Sequence, residues 1–240
     1  MGIKFNGVHC SSFGLEAKIT RPLLPENNDT YTDVPGRAGS VLFPGKPQDR
    51  NIQVDFGFMP GSRVEFRDRI WEISAWLYTA DRKPLIFDDE LNKAYRAKVE
   101  GQIDLEQAYL LGQFSVTFRS DPFAYGTEIT RNFDGNTVTV NNNGSYETCP
   151  AFDVTFTAVA TEWKVTLGTK YIRVVHDFAI ADTLHIDAGT GAILLNGSRA
   201  MNKLDWQYSQ FFNLAVGENS LSITPVGVCT ATVKYTPRWL

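Results

Sequence analysis

Hydrophobic and polar positions follow two periods in this chain. Ile52, Val54, Phe56 and Phe58 alternate with Gln53, Asp55 and Gly57, the two-residue period of a strand with one buried face. Between Ser62 and Tyr78 the period lengthens. Phe66, Ile70, Ile73 and Leu77 recur at steps of four, three and four, with Val64 and Trp76 widening the stripe, and predict an amphipathic helix over 62–78. Ser62 with Glu65 three residues on forms a capping box, placed just after the strand-breaking Pro60-Gly61, and Pro84 keeps the helix from running on. Every other stretch of any length reads as strand, so the helix is expected to lie against a sheet.

Around this pair the first half is punctuated by turns. Ile3-Lys4-Phe5 runs into the tight-turn dipeptide Asn6-Gly7, and Leu15 to Thr20 forms a second candidate strand. Pro22 and Pro25 then stop pairing. From Leu23 to Pro47 the chain is rich in proline and glycine, with Ser40 to Phe43 its one apolar segment, and is expected to form an extended arm or ribbon reaching across a surface. Pro84 to Phe87 and Tyr95 to Val99 flank Asp88 to Asn92 as a hairpin, and Phe114, Val116 and Phe118 alternate again. Alternation stops at Arg119 to Gly126, which sets the expected boundary between domains 1–125 and 126–240.

The second half shows no helical period. Thr137 to Val140, Ala151 to Thr157, Trp163 to Leu167, Tyr171 to Val175, Leu184 to Ile186, Ala192 to Leu195, Ser220 to Thr224 and Cys229 to Tyr235 read as strands. Turn residues separate them, among them Asn141 to Ser145, Gly189-Thr190-Gly191 and Asn196-Gly197. Short strands without crossover helices indicate an antiparallel sandwich. The fold class expected is therefore mainly β.

A length of 240 residues is comfortable for two domains with full cores. A net charge of −4 argues against tight nucleic-acid or anionic-membrane binding, which need a basic face. Three widely spaced cysteines, Cys10, Cys149 and Cys229, fit reduced thiols. The N-terminal residues lack an apolar signal core, and no apolar run approaches ~18 residues, so a soluble, untargeted chain without membrane insertion is expected.

No constellation for chemistry emerges. His9, His176 and His185 lack zinc-type spacing, Gly36 to Ser40 lacks the ending of a phosphate loop, and no Gly-x-Ser-x-Gly occurs. Asp88, Asp89 and Glu90 fall together in a turn and Asp182 and Asp187 flank a strand, so solvated carboxylates explain both sets without glycoside hydrolysis. The expectation is no enzyme, no metal and no cofactor. Trp206, Tyr208, Phe211 and Phe212 cluster in one segment, which reads as a loop packed over the sandwich end, with a sugar platform as the rival.

Several short motifs, in order along nearly the whole chain, resemble the distal tail protein (Dit) family of long, non-contractile-tailed bacteriophages. They are Ser12-Phe13-Gly14-Leu15, Pro35-Gly36-Arg37-Ala38-Gly39, the Trp-containing helix, Ser120-Asp121-Pro122-Phe123, Ile186-Asp187 with Gly191 to Gly197, Phe212-Asn213-Leu214 with Gly217-Glu218-Asn219, and the closing Pro237 to Leu240. The resemblance implies a homo-hexameric ring built by an N-terminal β-rich domain with one helix and an extended hairpin arm, and a C-terminal galectin-like antiparallel β-sandwich projecting outward. It implies an adaptor at the virion tail tip, assembled in the bacterial host cytoplasm. The tail tube protein would lie above it, the tail-associated tip protein below, and receptor-binding or baseplate proteins outside, with DNA transiting the channel without specific binding.

On that reading Tyr31, Val41, Phe43, Arg63 and Arg67 are candidates for the subunit interface, and Trp206, Tyr208 and Phe211 for glycan or partner contacts. The alternative function is a carbohydrate-binding module recognising host cell-surface glycans through the C-terminal sandwich. No room remains for the extra carbohydrate-binding module that some relatives carry, which lowers that alternative.

Overall fold

The computed structural model describes residues 2–58, 63–102 and 113–240, and of these the side chains of all but 58 and 63–68. Packing divides the chain into two units, Met1–Tyr125 with Leu240, and Gly126–Trp239.

The first unit contains β1 (Ile3–Phe5), β2 (Val8–His9), β3 (Leu15–Thr20), β4 (Thr30–Asp33), β5 (Ser40–Phe43), β6 (Arg50–Phe58), α1 (Arg63–Leu77), β7 (Lys83–Phe87), β8 (Ala94–Glu100) and β9 (Gln113–Tyr125). Seven of these strands form one antiparallel sheet in the order β2-β1-β7-β8-β9-β6-β3, while β4 and β5 pair only with each other. The Asn6-Gly7 turn closes β1 onto β2 with both residues at positive φ, 49° and 83°, which Asn and Gly tolerate best. Alternation along β6 buries Ile52, Val54 and Phe56, and each sits opposite an apolar residue of β9: Phe118, Val116 and Phe114.

Helix α1 covers this apolar face. Ile73, Trp76 and Leu77 are buried, and the Trp76 ring lies 6.3 Å from Phe5, 5.0 Å from Phe13 and 6.0 Å from Phe56. The helix ends at Leu77, one residue short of the predicted span, although the Tyr78 amide still closes the last turn onto the Ser74 carbonyl. Ser62 of the expected capping box, and the side chains of Val64, Glu65 and Phe66, lie outside the described residues.

One expectation from the pattern is corrected. The strand does not stop at Phe118 but continues as β9 through Pro122 to Tyr125. Pairing with β6 ends at Ser120 opposite Arg50, and the ladder with β8 is irregular between Tyr95 and Ala97. Pro122 falls within that irregular stretch, where its missing N–H costs no ladder bond.

The second unit is an antiparallel sandwich. One sheet carries β10 (Ile129–Asn132), β12 (Ala151–Phe156), β15 (Thr183–Asp187), β16 (Ala192–Leu195), β17 (Ser198–Arg199) and β19 (Cys229–Tyr235), in the order β10-β19-β12-β15-β16-β17. The other carries β11 (Thr137–Asn142), β13 (Ala160–Leu167), β14 (Lys170–Phe178) and β18 (Gly217–Thr224), in the order β11-β18-β13-β14. Phe152, Val154, Ile186 and Val233 from the first meet Trp163, Val165, Ile172 and Leu221 from the second in a single apolar core. The eight strands read from the pattern are all present. The pattern missed β10 and β17, which bury almost nothing and so show no alternation.

Candidate interaction surfaces

The stretch from Leu23 to Pro47 folds as a two-stranded ribbon. Its register sets Tyr31 opposite Leu42, Thr30 opposite Phe43 and Thr32 opposite Val41. Side chains alternate across a strand, so Tyr31 and Leu42 share one face while Val41 and Phe43 share the other. Tyr31 is 65% exposed and Phe43 56%, so neither face of the ribbon has a core to bury against. At the far end Val34, Pro35, Gly36 and Arg37 close a turn, with the Arg37 amide donating to the Val34 carbonyl at 3.1 Å and Gly36 at φ 82°.

The base of the ribbon is tied down. The Gln48 amide donates to the Glu26 carbonyl at 2.7 Å, the Asn28 amide to the Lys46 carbonyl at 3.2 Å, and the Gly45 amide to Asp29 Oδ1 at 2.8 Å. A Cβ added at Gly45 would stand 1.9 Å from the Asn28 carbonyl oxygen, so the two legs approach as closely as they do only because residue 45 has no side chain. Arg50, which opens β6, reaches back beneath this base. It donates through Nε to the Pro122 carbonyl at 2.8 Å and through Nη1 to the carbonyls of Pro22 and Leu23 at 3.4 and 3.5 Å. The sequence gives no hint of this role, because Arg50 reads only as the polar start of an alternating strand.

The structure thus places Tyr31, Val41 and Phe43 together on one ribbon but on opposite faces. The side chains of Arg63 and Arg67 lie outside the described residues.

In the second unit, the segment from Leu204 to Gln210 runs as a strap along the free edge of β14. The Asp205 amide donates to the Arg173 carbonyl at 2.9 Å, the Gln210 amide to the Tyr171 carbonyl at 2.8 Å, and the Arg173 amide to Ser209 Oγ at 3.0 Å. The Arg173 guanidinium pairs with Glu162 on β13 and with Asp205 on the strap, the latter at 3.1 Å. An edge that would offer unpaired N–H and C=O groups is covered in this way. The expected aromatic cluster splits along the strap. Trp206 is 83% exposed and Tyr208 also stands in solvent, whereas Phe212 is buried and Phe211 packs partly against the core.

A further apolar surface went unread in the sequence. Val159, Ile180 and Val226 are exposed on three different loops that bond to one another's flanks: Thr157 and Ala158 donate to the Val228 carbonyl, and Ala181 donates to Phe156. Each valine or isoleucine interrupts no period and so gives no signal on its own.

Titratable groups are engaged locally. His9 Nδ1 accepts from the Ser11 amide at 3.2 Å and lies 2.7 Å from Ser11 Oγ, while Nε2 lies 3.0 Å from Asp88 Oδ1. A backbone amide can only donate, so the proton sits on Nε2 and the set caps the short helical turn Cys10–Phe13. His185 Nδ1 meets Asp153 Oδ1 at 2.6 Å on the outer face of the six-stranded sheet, and Lys234 Nζ meets Asp153 Oδ2 at 2.8 Å. Burial pushes the Asp153 carboxyl up, but the hydrogen bonds and charges of Lys234 and His185 more than offset this and hold it below its ordinary value. Among the described residues no group of three or more His, Cys, Asp or Glu side chains is placed to hold a metal ion. The three cysteines are free, and no described helix is long and apolar enough to cross a membrane.

Comparison with known proteins bears on both units. Residues 8–120 match the family described as the phage tail protein RIFT-related domain, and residues 143–239 match the siphovirus-type tail component, C-terminal domain. The distal tail protein of Bacillus phage SPP1 is 27% identical over 184 residues, which cover 72% of this chain and 73% of that protein. A crystal structure of SPP1 Dit, described as a paradigm of the hub adsorption apparatus of phages infecting Gram-positive bacteria, aligns over 100% of this chain and 99% of its own. The TM-score is 0.82 at 21% identity, so the two share a fold. The phage P2 baseplate in its activated conformation aligns over 97% of this chain and 90% of its own with a TM-score of 0.44 at 10% identity, a likeness too slight to argue from.

Proposed function

Because this chain belongs to the distal tail protein (Dit) family of siphovirus tail components, we propose that six copies close into a ring joining the tail tube to the tail tip. It is a structural hub protein of the distal virion tail, and it works with other tail proteins rather than by turnover.

The observation that carries the ring is the β4–β5 ribbon. A two-stranded hairpin is marginal by itself in water, and this one exposes Tyr31 and Leu42 on one face and Phe43 on the other. Apolar side chains on both faces suit a segment that inserts into a neighbouring subunit, where head-to-tail contacts repeated about an axis close a ring. Arg63 and Arg67 of α1 are proposed to meet the neighbouring subunit as well. Six acidic chains, each at −4, suit a channel that lets DNA pass without retaining it. The tail tube protein above, the tip protein below and receptor-binding or baseplate proteins outside complete the proposed surroundings, with assembly in the host cytoplasm. The domains proposed for these tasks are 1–125 for the ring and 126–240 for outward attachment.

Native mass measurement tests the ring. The expected species is six times the 26.8 kDa of one chain. Replacing Tyr31 and Phe43 together by serine is expected to leave a folded monomer, since exposed anchors of this kind each contribute on the order of 2 kcal/mol to an interface. Charge reversal at Arg63 and Arg67 that leaves ring formation intact would return those two residues to solvent. A wild-type chain that stays at monomer mass at high concentration, alone and with tail tube protein added, would overturn the ring.

The exposure of Trp206 and Tyr208 favours a second reading, in which the strap stacks host glycans. A glycan panel with wild type, Trp206→Ala and Tyr208→Ala decides it: no binding by wild type removes the glycan and leaves the strap as a protein contact. Phe211 is a poor test residue, because its ring packs against the core and its loss would disturb the sandwich itself.

A further inference from the structure

Helix α1 turns a second, apolar face to water. Trp71 and Tyr78 are 79% and 82% exposed, more than any other aromatic residue described in the first unit. Seven residues make two helical turns less about 20°, so the two side chains stand on one side of the helix, about 10 Å apart along its axis. The Tyr78 amide closes onto the Ser74 carbonyl at 2.9 Å, which keeps Tyr78 in the helical register although α1 ends at Leu77. Ser74 and Ala75, both exposed and small, lie between the two aromatics and floor a notch with an aromatic wall at each end. The opposite stripe, Ile73, Trp76 and Leu77, is spent on the sheet, so the chain's own core does not account for Trp71 and Tyr78.

A head-to-tail ring asks for two different surfaces on each chain, one that gives and one that receives. The β4–β5 ribbon is the giving surface. Among the described residues of the first unit, the other exposed large aliphatics do not make a receiving one. Leu23 and Leu24 stand at the base of the ribbon and Val34 at its tip, so they travel with it, and Val8 and Leu91 lie on separate segments without an aromatic beside them in the chain. The α1 face remains, and it continues the surface given to the neighbour through Arg63 and Arg67 of the same helix. The areas suffice. Trp71 and Tyr78 together leave roughly 350 Å² of side chain in water, and Tyr31 with Leu42 roughly 200 Å². Their mutual burial, about 550 Å², is more than half of the apolar share of a standard protein–protein interface.

We propose that the notch between Trp71 and Tyr78 receives the ribbon of a second copy of this chain, with the Tyr31 ring seated between the two aromatic walls and Leu42 beside it. Tyr31 and Leu42 face each other in the register and share one face of the ribbon, so both reach the same helix. Ring-on-ring contacts add to what the buried area contributes. Val41 and Phe43, on the other face of the ribbon, are left for the rest of the neighbour. This inference rests on the ring reading and adds to it which surface takes the ribbon.

Two disabled chains test the pairing, because a head-to-tail contact can be rebuilt from one intact surface on each. The ribbon variant carries Tyr31→Ser and Phe43→Ser. The helix variant carries Trp71→Gln and Tyr78→Gln, glutamine being a good helix former. All four side chains are exposed, so urea midpoints close to that of wild type are expected. Each variant alone should sediment as a monomer. Mixed, each at about 100 µM, they should form a one-to-one dimer at twice the 26.8 kDa of one chain and nothing larger, with a dissociation constant in the micromolar range. In that dimer the intact ribbon of the helix variant sits on the intact helix of the ribbon variant, and both remaining surfaces are disabled. Either variant assembling alone as wild type does, or a mixture that stays monomeric, overturns the inference. Native mass of wild type judges the ring separately. A dimer in the mixture with wild type at a mass other than six chains keeps the ribbon contact and discards the ring, whereas a wild-type ring with no dimer in the mixture keeps the ring and discards the contact.

Discussion

The indole N–H of Trp76 donates to the backbone carbonyl of Phe5 at 2.9 Å, and the two rings meet edge to face. One side chain thus fastens α1 to β1 by both a polar and an apolar contact. Trp76→Phe removes that hydrogen bond and opens a small cavity, so a loss of about 2–3 kcal/mol is expected in urea unfolding. Trp71, exposed on the same helix, serves as the control, and Trp71→Phe is expected to change stability by less than about 0.5 kcal/mol.

Gly45 governs the ribbon rather than the sheet. Any side chain there meets the Asn28 backbone, so Gly45→Ala is expected to part the two legs and abolish hydrogen-exchange protection at the Asn28 amide. Global stability should fall by less than about 1 kcal/mol, because the ribbon buries little. Retained protection at Asn28 would show that the legs can shift to admit a methyl group.

Ser209 holds the strap over β14. In Ser209→Ala the Arg173 amide loses its acceptor, and a cost of about 1 kcal/mol is expected together with faster exchange of the Arg173 and Gln210 amides. Denaturant melts and amide exchange read the two effects separately. Stability lost without faster exchange at Gln210 would mean that the strap stays docked by the Arg173–Asp205 pair.

Acid sensitivity follows from Asp153. Its carboxyl is held below its ordinary value of 3.8, so it stabilises the fold above the unfolded-state pKa. That contribution is lost as pH falls through the lower folded-state value, placing the window below about pH 4. Unfolding midpoints measured from pH 6 down to pH 2.5 should therefore drop less steeply below pH 4 for Asp153→Asn than for wild type. Parallel curves would show that Lys234 and His185 do not couple to the acid transition.

Where one face of an element is buried and the other is wet, the sequence was sufficient. Ile52, Val54 and Phe56 announced β6, and Ile73, Trp76 and Leu77 announced the stripe of α1, because burial on one side imposes a period that water on the other side preserves. The same logic located eight strands of the sandwich and failed at β10 and β17, where only Ile129 packs partly against the core and no alternation results. It also ended β9 too early, since Pro122 looks like a breaker until the irregular ladder with β8 shows that no bond was required of it.

The surfaces were legible only in part, for the same physical reason. Proline and glycine marked Leu23 to Pro47 as something other than core, and Tyr31 and Phe43 as apolar residues without a place in it. Which face each occupies depends on a register that two strands set together. Trp206 and Phe211 look alike in the sequence, five residues apart, yet one stands in solvent and the other packs inward, because the strap turns between them. Arg50 is the furthest case. Its charge was plain from the sequence, but its burial beneath Pro22, Leu23 and Pro122 arises from residues 28, 27 and 72 positions away, and only the tertiary structure brings them together.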